Sequence, residues 1–183
     1  MTPWNPILLE RLKGGDPSAF ERLVEDYEGP LFRFFVCDHR NRHLAEDQSA
    51  ETFAQLVRAI PMMTGDVGQL PAFVFTIARR VKQKDWRKRS LPTDPIDAAQ
   101  QIPDARPSPD ANMESNEQIA EVMAAIGALE LNAREAMLLH YVEGFSIDRV
   151  SDALGQPSGT IKSMLHRARK RVRDYLQASK ART

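Results

Sequence analysis

The chain has 183 residues, of which 27% are charged and 42% hydrophobic, the balance of a globular protein of one ordinary domain or two small helical ones. No apolar run approaches the ~20 residues a membrane helix needs, and the start MTPWNPILLERLK lacks a basic leader and a cleavage site. Cys37 is the single cysteine, which excludes an intrachain disulfide and leads us to expect a reducing, cytoplasmic setting.

Lys plus Arg and Asp plus Glu number 25 each, so the net charge is zero, but the signs are segregated. Residues 1–75 hold 7 basic and 11 acidic side chains, and residues 76–90 hold 7 basic ones with Asp85 as the only acid. Residues 91–135 hold 2 basic and 9 acidic, and residues 136–183 hold 9 basic and 4 acidic. Two basic segments, each following an acidic one, predict two places where a phosphate backbone is held.

Ile7 to Lys13 predicts a short apolar helix that ends at Gly14-Gly15. Asp16-Pro17 opens the next, as an N-cap followed by proline at the first position. Phe20, Leu23, Val24, Tyr27 and Leu31 continue it at helical spacing, with a kink or short break expected at Gly29-Pro30. Phe32, Phe34, Phe35 and Val36 form an aromatic cluster suited to a core. His39 and His43 have the spacing of two metal ligands on a helix, but no further Cys or His accompanies them and arginines surround them. A loop or helix end is the better reading, and we expect no metal site.

A third helix is expected over 44–60, with Phe53, Leu56, Val57 and Ile60 as its buried stripe. Glu46, Asp47, Gln48, Glu51 and Gln55 then fall largely on the opposite, solvent side. Ser49 and Thr52 lie among these acids, where a phosphate would add about −1.5 to −2 charge. Pro61 ends the helix, and 62–70 reads as a loop with two glycines. A fourth helix starts at Pro71 and buries Phe73, Val74, Ile77, Ala78 and Val81. Arg79, Arg80, Lys82, Lys84, Arg87 and Lys88 cover the rest of it, with Trp86 among them. Basic residues beside an aromatic suit a nucleic-acid backbone and an unpaired base.

Residues 91–116 carry five prolines, several acids and little apolar content, which predicts a flexible linker. Beyond it, Ile119, Val122, Met123, Ile126 and Leu129 form one helix, and 133–142 another with Met137, Leu138 and Tyr141 inward. Residues 146–176 then predict a helix-turn-helix. Ile147, Val150 and Leu154 line the first helix, Gly155 stops it, and Pro157 suits the first turn of the next. Ile161, Leu165, Ala168 and Val172 form the second helix's apolar stripe. Its other face carries Gly159, Ser163, His166 and Lys170, flanked by Lys162, Arg167 and Arg173, a small, polar, basic front for the major groove. The expected fold is all-α: two small helical domains, 1–90 and 117–183, joined by the flexible linker 91–116, with the helix-turn-helix in the C-terminal domain.

The segment GTIKSMLHRARKRV, residues 159–172, resembles the GTVKSRLxRARRRL pattern of bacterial extracytoplasmic-function (ECF) sigma factors of the sigma-70 family. AEDQSAETF at 45–53 is similar to that family's AEDLVQETF, and FVFTIARR at 73–80 to its WLYRIARN. Gln48 and Ser49 stand in place of an aliphatic pair, Ala50 in place of Gln, Phe73 in place of Trp and Arg80 in place of Asn. The resemblance implies a protein that binds core RNA polymerase and directs it to promoters. It implies clamp-helix contacts by the third helix, through Glu46, Asp47, Gln48, Glu51 and Gln55. It implies reading and melting of a −10 element by the loop Met62, Met63, Thr64, Gly65 and Asp66 with Arg79, Arg80, Lys82, Lys84 and Trp86. It implies −35 recognition by Ser158, Gly159, Thr160, Lys162, Ser163, His166, Arg167 and Lys170. Members are often restrained by an anti-sigma protein.

The competing reading is a regulator that uses the helix-turn-helix alone on duplex DNA, without polymerase. An enzyme is disfavoured, since no phosphate loop, nucleophile motif or metal set stands out, and we expect no cofactor, no catalytic residues and no small-molecule substrate.

Overall fold

The computed structural model describes residues 4–39, 41–90 and 113–180, and among them every regular element is helical. The helices are α1 (Pro6–Lys13), α2 (Pro17–His39), α3 (Arg42–Ala59), α4 (Leu70–Ser90), α5 (Met113–Gly127), α6 (Leu131–Met137), α7 (Ile147–Leu154) and α8 (Ser158–Lys180). Two compact units result. The first holds α1, most of α2, α3 and α4, and the second holds α5 to α8 with the end of α2 from Val36. The expected linker lies outside the described residues up to 112, and α5 begins at Met113, earlier than the sequence placed it.

Local signals set the helix ends. The Asn5 side chain accepts from Leu8 N and starts α1, and the Asn41 side chain accepts from Leu44 N and starts α3. Asp16 accepts from the backbone N–H of Ser18 (2.9 Å) and starts α2 ahead of Pro17. The Arg11 guanidinium and the Ser18 hydroxyl beside it hold the Asp16 carboxyl down at about 2. α2 is not broken at Gly29-Pro30. A proline removes one helical N–H, while Tyr27 and Leu31 on either side remain buried in the core.

The first core is aromatic. The Phe34 ring lies 5.4 Å from both Phe35 and Phe75, edge to face, and Tyr27 meets Phe75 at 6.5 Å. Leu23, Leu31, Leu56, Ile60, Leu70 and Val74 close around them. In the second unit α8 packs on α5, α6 and α7. α6 runs on into a π turn over Leu138–Val142, closed by Glu143 N donating to Leu138 O (3.0 Å). The His140 Nδ1–H donates to the Phe145 carbonyl (2.7 Å) and locks the turn. The extra residue in that turn changes the helical phase. Leu138 and Leu139 are both buried, and Tyr141, expected inward, is exposed. Ile119 and Val122 are also exposed, although their spacing predicted burial.

Candidate nucleic-acid interface

The helix-turn-helix of the second unit is built from a few short-range bonds. Ser146 caps α7, its hydroxyl oxygen accepting from Arg149 N at 3.2 Å. Gly155 adopts φ 61°, ψ 36°, the left-handed conformation that ends a helix at least cost in glycine. Across the turn Gln156 N donates to Ser151 O (3.1 Å), and the Ser151 hydroxyl donates to Gln156 O (2.5 Å). Pro157 precedes α8 and is not inside its first turn: its carbonyl accepts the Ile161 N–H at 3.0 Å. The Ser158 hydroxyl donates to Asp148 Oδ1 (3.0 Å), tying the start of α8 to α7. That proton is therefore engaged within the motif.

α8 turns Ile161, Leu165 and Ala168 into the core and leaves Gly159, Lys162, Ser163, His166, Arg167 and Lys170 exposed. Thr160 is half-buried, and its carbonyl accepts the Ser163 hydroxyl at 2.9 Å. A Cβ added at Gly159 would meet no atom within 4 Å, and its φ is not in the left-handed region. Neither packing nor backbone conformation demands glycine there. A bare backbone on the exposed side suits close approach of another molecule.

The basic surface of the first unit is smaller than the sequence predicted. Arg80, Lys84 and Trp86 are exposed, Trp86 at 67%, and Arg79 is half-buried. Lys82 is only 4% exposed, and its Nζ lies 4.3 Å over the Phe34 ring. It follows Ala78 by four residues and so belongs to the inward stripe, and a backbone-contacting role for it is withdrawn. In the segment before α4, Met62 is exposed but Met63 is buried and packs with the core. This segment is a shaped turn, with 3-10 turns at Ile60–Met62 and Val67–Gln69. Asp66 Oδ1 accepts from Gly68 N (2.8 Å), and Gly65 has φ 121°, where a Cβ would collide with Gln69.

α3 is rotated from its expected orientation. Its buried residues are Ala45, Gln48, Ser49, Thr52 and Leu56, whereas Val57 is 52% exposed and Phe53 half-buried. Small residues let α3 lie close along α4, and their hydroxyls are satisfied by their own helix. Ser49 donates to Ala45 O and Thr52 to Gln48 O, both at 2.7 Å. Three expectations fall with this. Gln48 is not on the solvent side, and neither Ser49 nor Thr52 is accessible for phosphorylation. Glu46, Asp47 and Glu51 are exposed, with Glu46 paired to Arg42 (2.8 Å) and Glu51 accepting from Gln55 (2.8 Å). A groove of about 490 Å³ lies between α2 and α3, which Val24, Phe32, Ala50 and Phe53 line and Glu25, Glu28, Arg42 and Glu46 edge.

The second unit thus holds a helix-turn-helix with an exposed basic front, and the first unit ends in basic residues and an exposed tryptophan. The family Sigma-70, region 4, matches residues 119–172. The RNA polymerase sigma-E factor of Streptomyces avermitilis is 32% identical over 168 residues, covering 90% of this chain and 88% of that protein. The chain belongs to the ECF RNA polymerase sigma factors. The ECF RNA polymerase sigma factor BldN of Streptomyces coelicolor is 26% identical over 166 residues, covering 88% of this chain. This chain spans 61% of BldN's length, less than two thirds. The solved structure of the sigma factor RpoE in complex with the anti-sigma factor NepR from Bartonella quintana shares the fold. Its TM-score is 0.68 at 23% identity, covering 86% of this chain and 96% of that one. Among the described residues, no helix is long and apolar enough to cross a membrane, and no three His, Cys, Asp or Glu side chains gather as a metal site.

Proposed function

We propose that this protein binds core RNA polymerase and directs it to promoters. The second unit reads the −35 element in duplex form, with Lys162, Ser163, His166, Arg167 and Lys170 toward the groove and Gly159 and Thr160 near the backbone. The first unit engages the −10 element through Met62, Thr64, Arg79, Arg80, Lys84 and Trp86, where an aromatic and cations suit an unstacked single strand. The polymerase-facing surface is the α2–α3 face. Its apolar groove and exposed Val57 supply area to bury, with Glu46 at the edge, and Asp47 and Glu51, on the side of α3 toward α4, extend the surface and favour a basic partner. The protein contributes contacts and no chemistry of its own, acts in the cytoplasm where the polymerase is, and is open to restraint by an anti-sigma protein.

The observation that carries this reading is family membership together with the exposed, basic face of α8 on a glycine that the fold does not require. The test is affinity for core polymerase of the parent, Val57→Asp and Glu51→Lys. Both changes lie on exposed side chains, so the fold should survive and binding should drop at least tenfold. Parent-like binding by both variants would move the polymerase contact off α3.

A further inference from the structure

The buried side of α3 is polar, and Gln48 lies at its seam with α4. Ser49 and Thr52 return their hydroxyl protons to their own helix, but Gln48 sends its donor across. Gln48 Nε2 donates to Asp85 Oδ2 at 3.0 Å, joining the two helices through residues 37 apart in sequence. Gln48 is 3% exposed, and its Oε1 is buried without a hydrogen bond. A buried, unanswered carbonyl is less favourable than an aliphatic side chain of similar size. The similar family motif has an aliphatic residue at this position, which would fill the seam with no directional link. Asp85 sits in sequence between Lys84 and Trp86, the cation and aromatic assigned above to the −10 strand. A groove of about 360 Å³ borders the pair, lined by Leu44, Asp47, Glu51, Val81 and Lys84 with Gln48 and Asp85. Side chains assigned to polymerase and to DNA thus share one groove, and the amide–carboxylate bond crosses from one helix to the other there.

We propose that Gln48 is a positioning residue for promoter opening. Its bond to Asp85 fixes the basic, aromatic end of α4 against the polymerase-facing helix α3, so that polymerase docking sets where Lys84 and Trp86 meet the strand. The inference rests on the sigma-factor reading above. An aliphatic residue at 48 would hold the two helices together as well or better, but would not fix the end of α4 in one register.

The experiment uses holoenzyme reconstituted with the full chain, on a promoter recovered with the parent holoenzyme from a randomised library. Opening is followed by a fluorescent base analogue in the −10 element. Gln48→Leu should keep or raise the thermal midpoint and bind core polymerase as the parent does. It should slow opening on duplex promoter about tenfold, the scale of one hydrogen bond to a charged group. On a promoter already unpaired at −10 the loss should shrink. Gln48→Glu places two carboxylates face to face and should slow opening too. Combining it with Asp85→Asn reverses donor and acceptor and should restore the rate. Parent-like opening by Gln48→Leu, a loss that follows a fall in thermal midpoint, or no rescue by the reversed pair overturns the inference. If the parent itself neither binds core polymerase nor opens any promoter, the sigma-factor reading fails first and takes this with it.

Discussion

α8 and α3 carry the two surfaces on which the proposed function depends, and they differ in how they bury themselves. α8 hides a conventional aliphatic stripe, Ile161, Leu165 and Ala168, and Lys162, Arg167 and Lys170 face out. α3 hides Ala45, Gln48, Ser49 and Thr52 with Leu56, and leaves Val57 in the solvent. In α8 the hydrophobic effect chooses the face. In α3 close helix approach and hydroxyls bonded to their own backbone choose it, and apolar side chains such as Val57 are left exposed.

Adjacent positions on α3 sharpen this contrast most. Leu56 is fully buried and Val57 is exposed, although the sequence placed both inward. Leu56→Ala should cost ~2–5 kcal/mol of stability in denaturant unfolding. Val57→Ala should stay within about 0.5 kcal/mol. Equal costs at the two sites would mean that α3 is not rotated as described.

On α8, Lys162→Ala should leave folding unchanged and weaken −35 binding by ~1–3 kcal/mol, with relaxed preference at one base, if it reaches a base edge. Loss spread evenly over all sequences, with a salt slope reduced by about one, would assign it to phosphate. Gly159→Ala separates fold from function on the same helix. Alanine suits a helix better, so stability should rise by up to ~1 kcal/mol while promoter binding falls. A gain in stability with undiminished DNA binding would remove Gly159 from the interface.

The smallest effect concerns the start of α2. Asp16 is held at about 2 against an ordinary 3.8, so its charge stabilises the fold above the ordinary value. That contribution fades as pH falls from about 3.8 through about 2. Asp16→Asn keeps a capping oxygen but not the charge. Its thermal midpoint should lie below the parent's at neutral pH and converge with it below that window. A gap independent of pH would assign the effect to cap geometry.

Much of the architecture was legible because its signals are local. Asp16-Pro17, Gly155 and the spacing of Ile161, Leu165 and Ala168 each act within a turn or two of helix. The misreadings have tertiary or phase origins. By its charge Lys82 reads as one more surface cation, although its four-residue spacing from Ala78 places it inward. Tyr141 was misplaced because a π turn shifts the helical phase, and no residue type announces such a turn. Met63 and the inward face of α3 depend on what packs against them, which periodicity in one helix does not contain. Gln48 is the instructive case. The motif that drew attention to residues 45–53 also marked 48 as an aliphatic position, hence a buried one.

Whether this chain confers promoter recognition on core RNA polymerase is decided by transcription from a randomised promoter library, comparing core polymerase alone with core plus this protein. Initiation is expected only when the protein is present, from templates sharing a −35 and a −10 element, with the −35 preference altered by Lys162→Ala. Transcription that the protein does not change, alongside sequence-specific binding of the protein alone to duplex DNA, would contradict it and favour a regulator that works without polymerase.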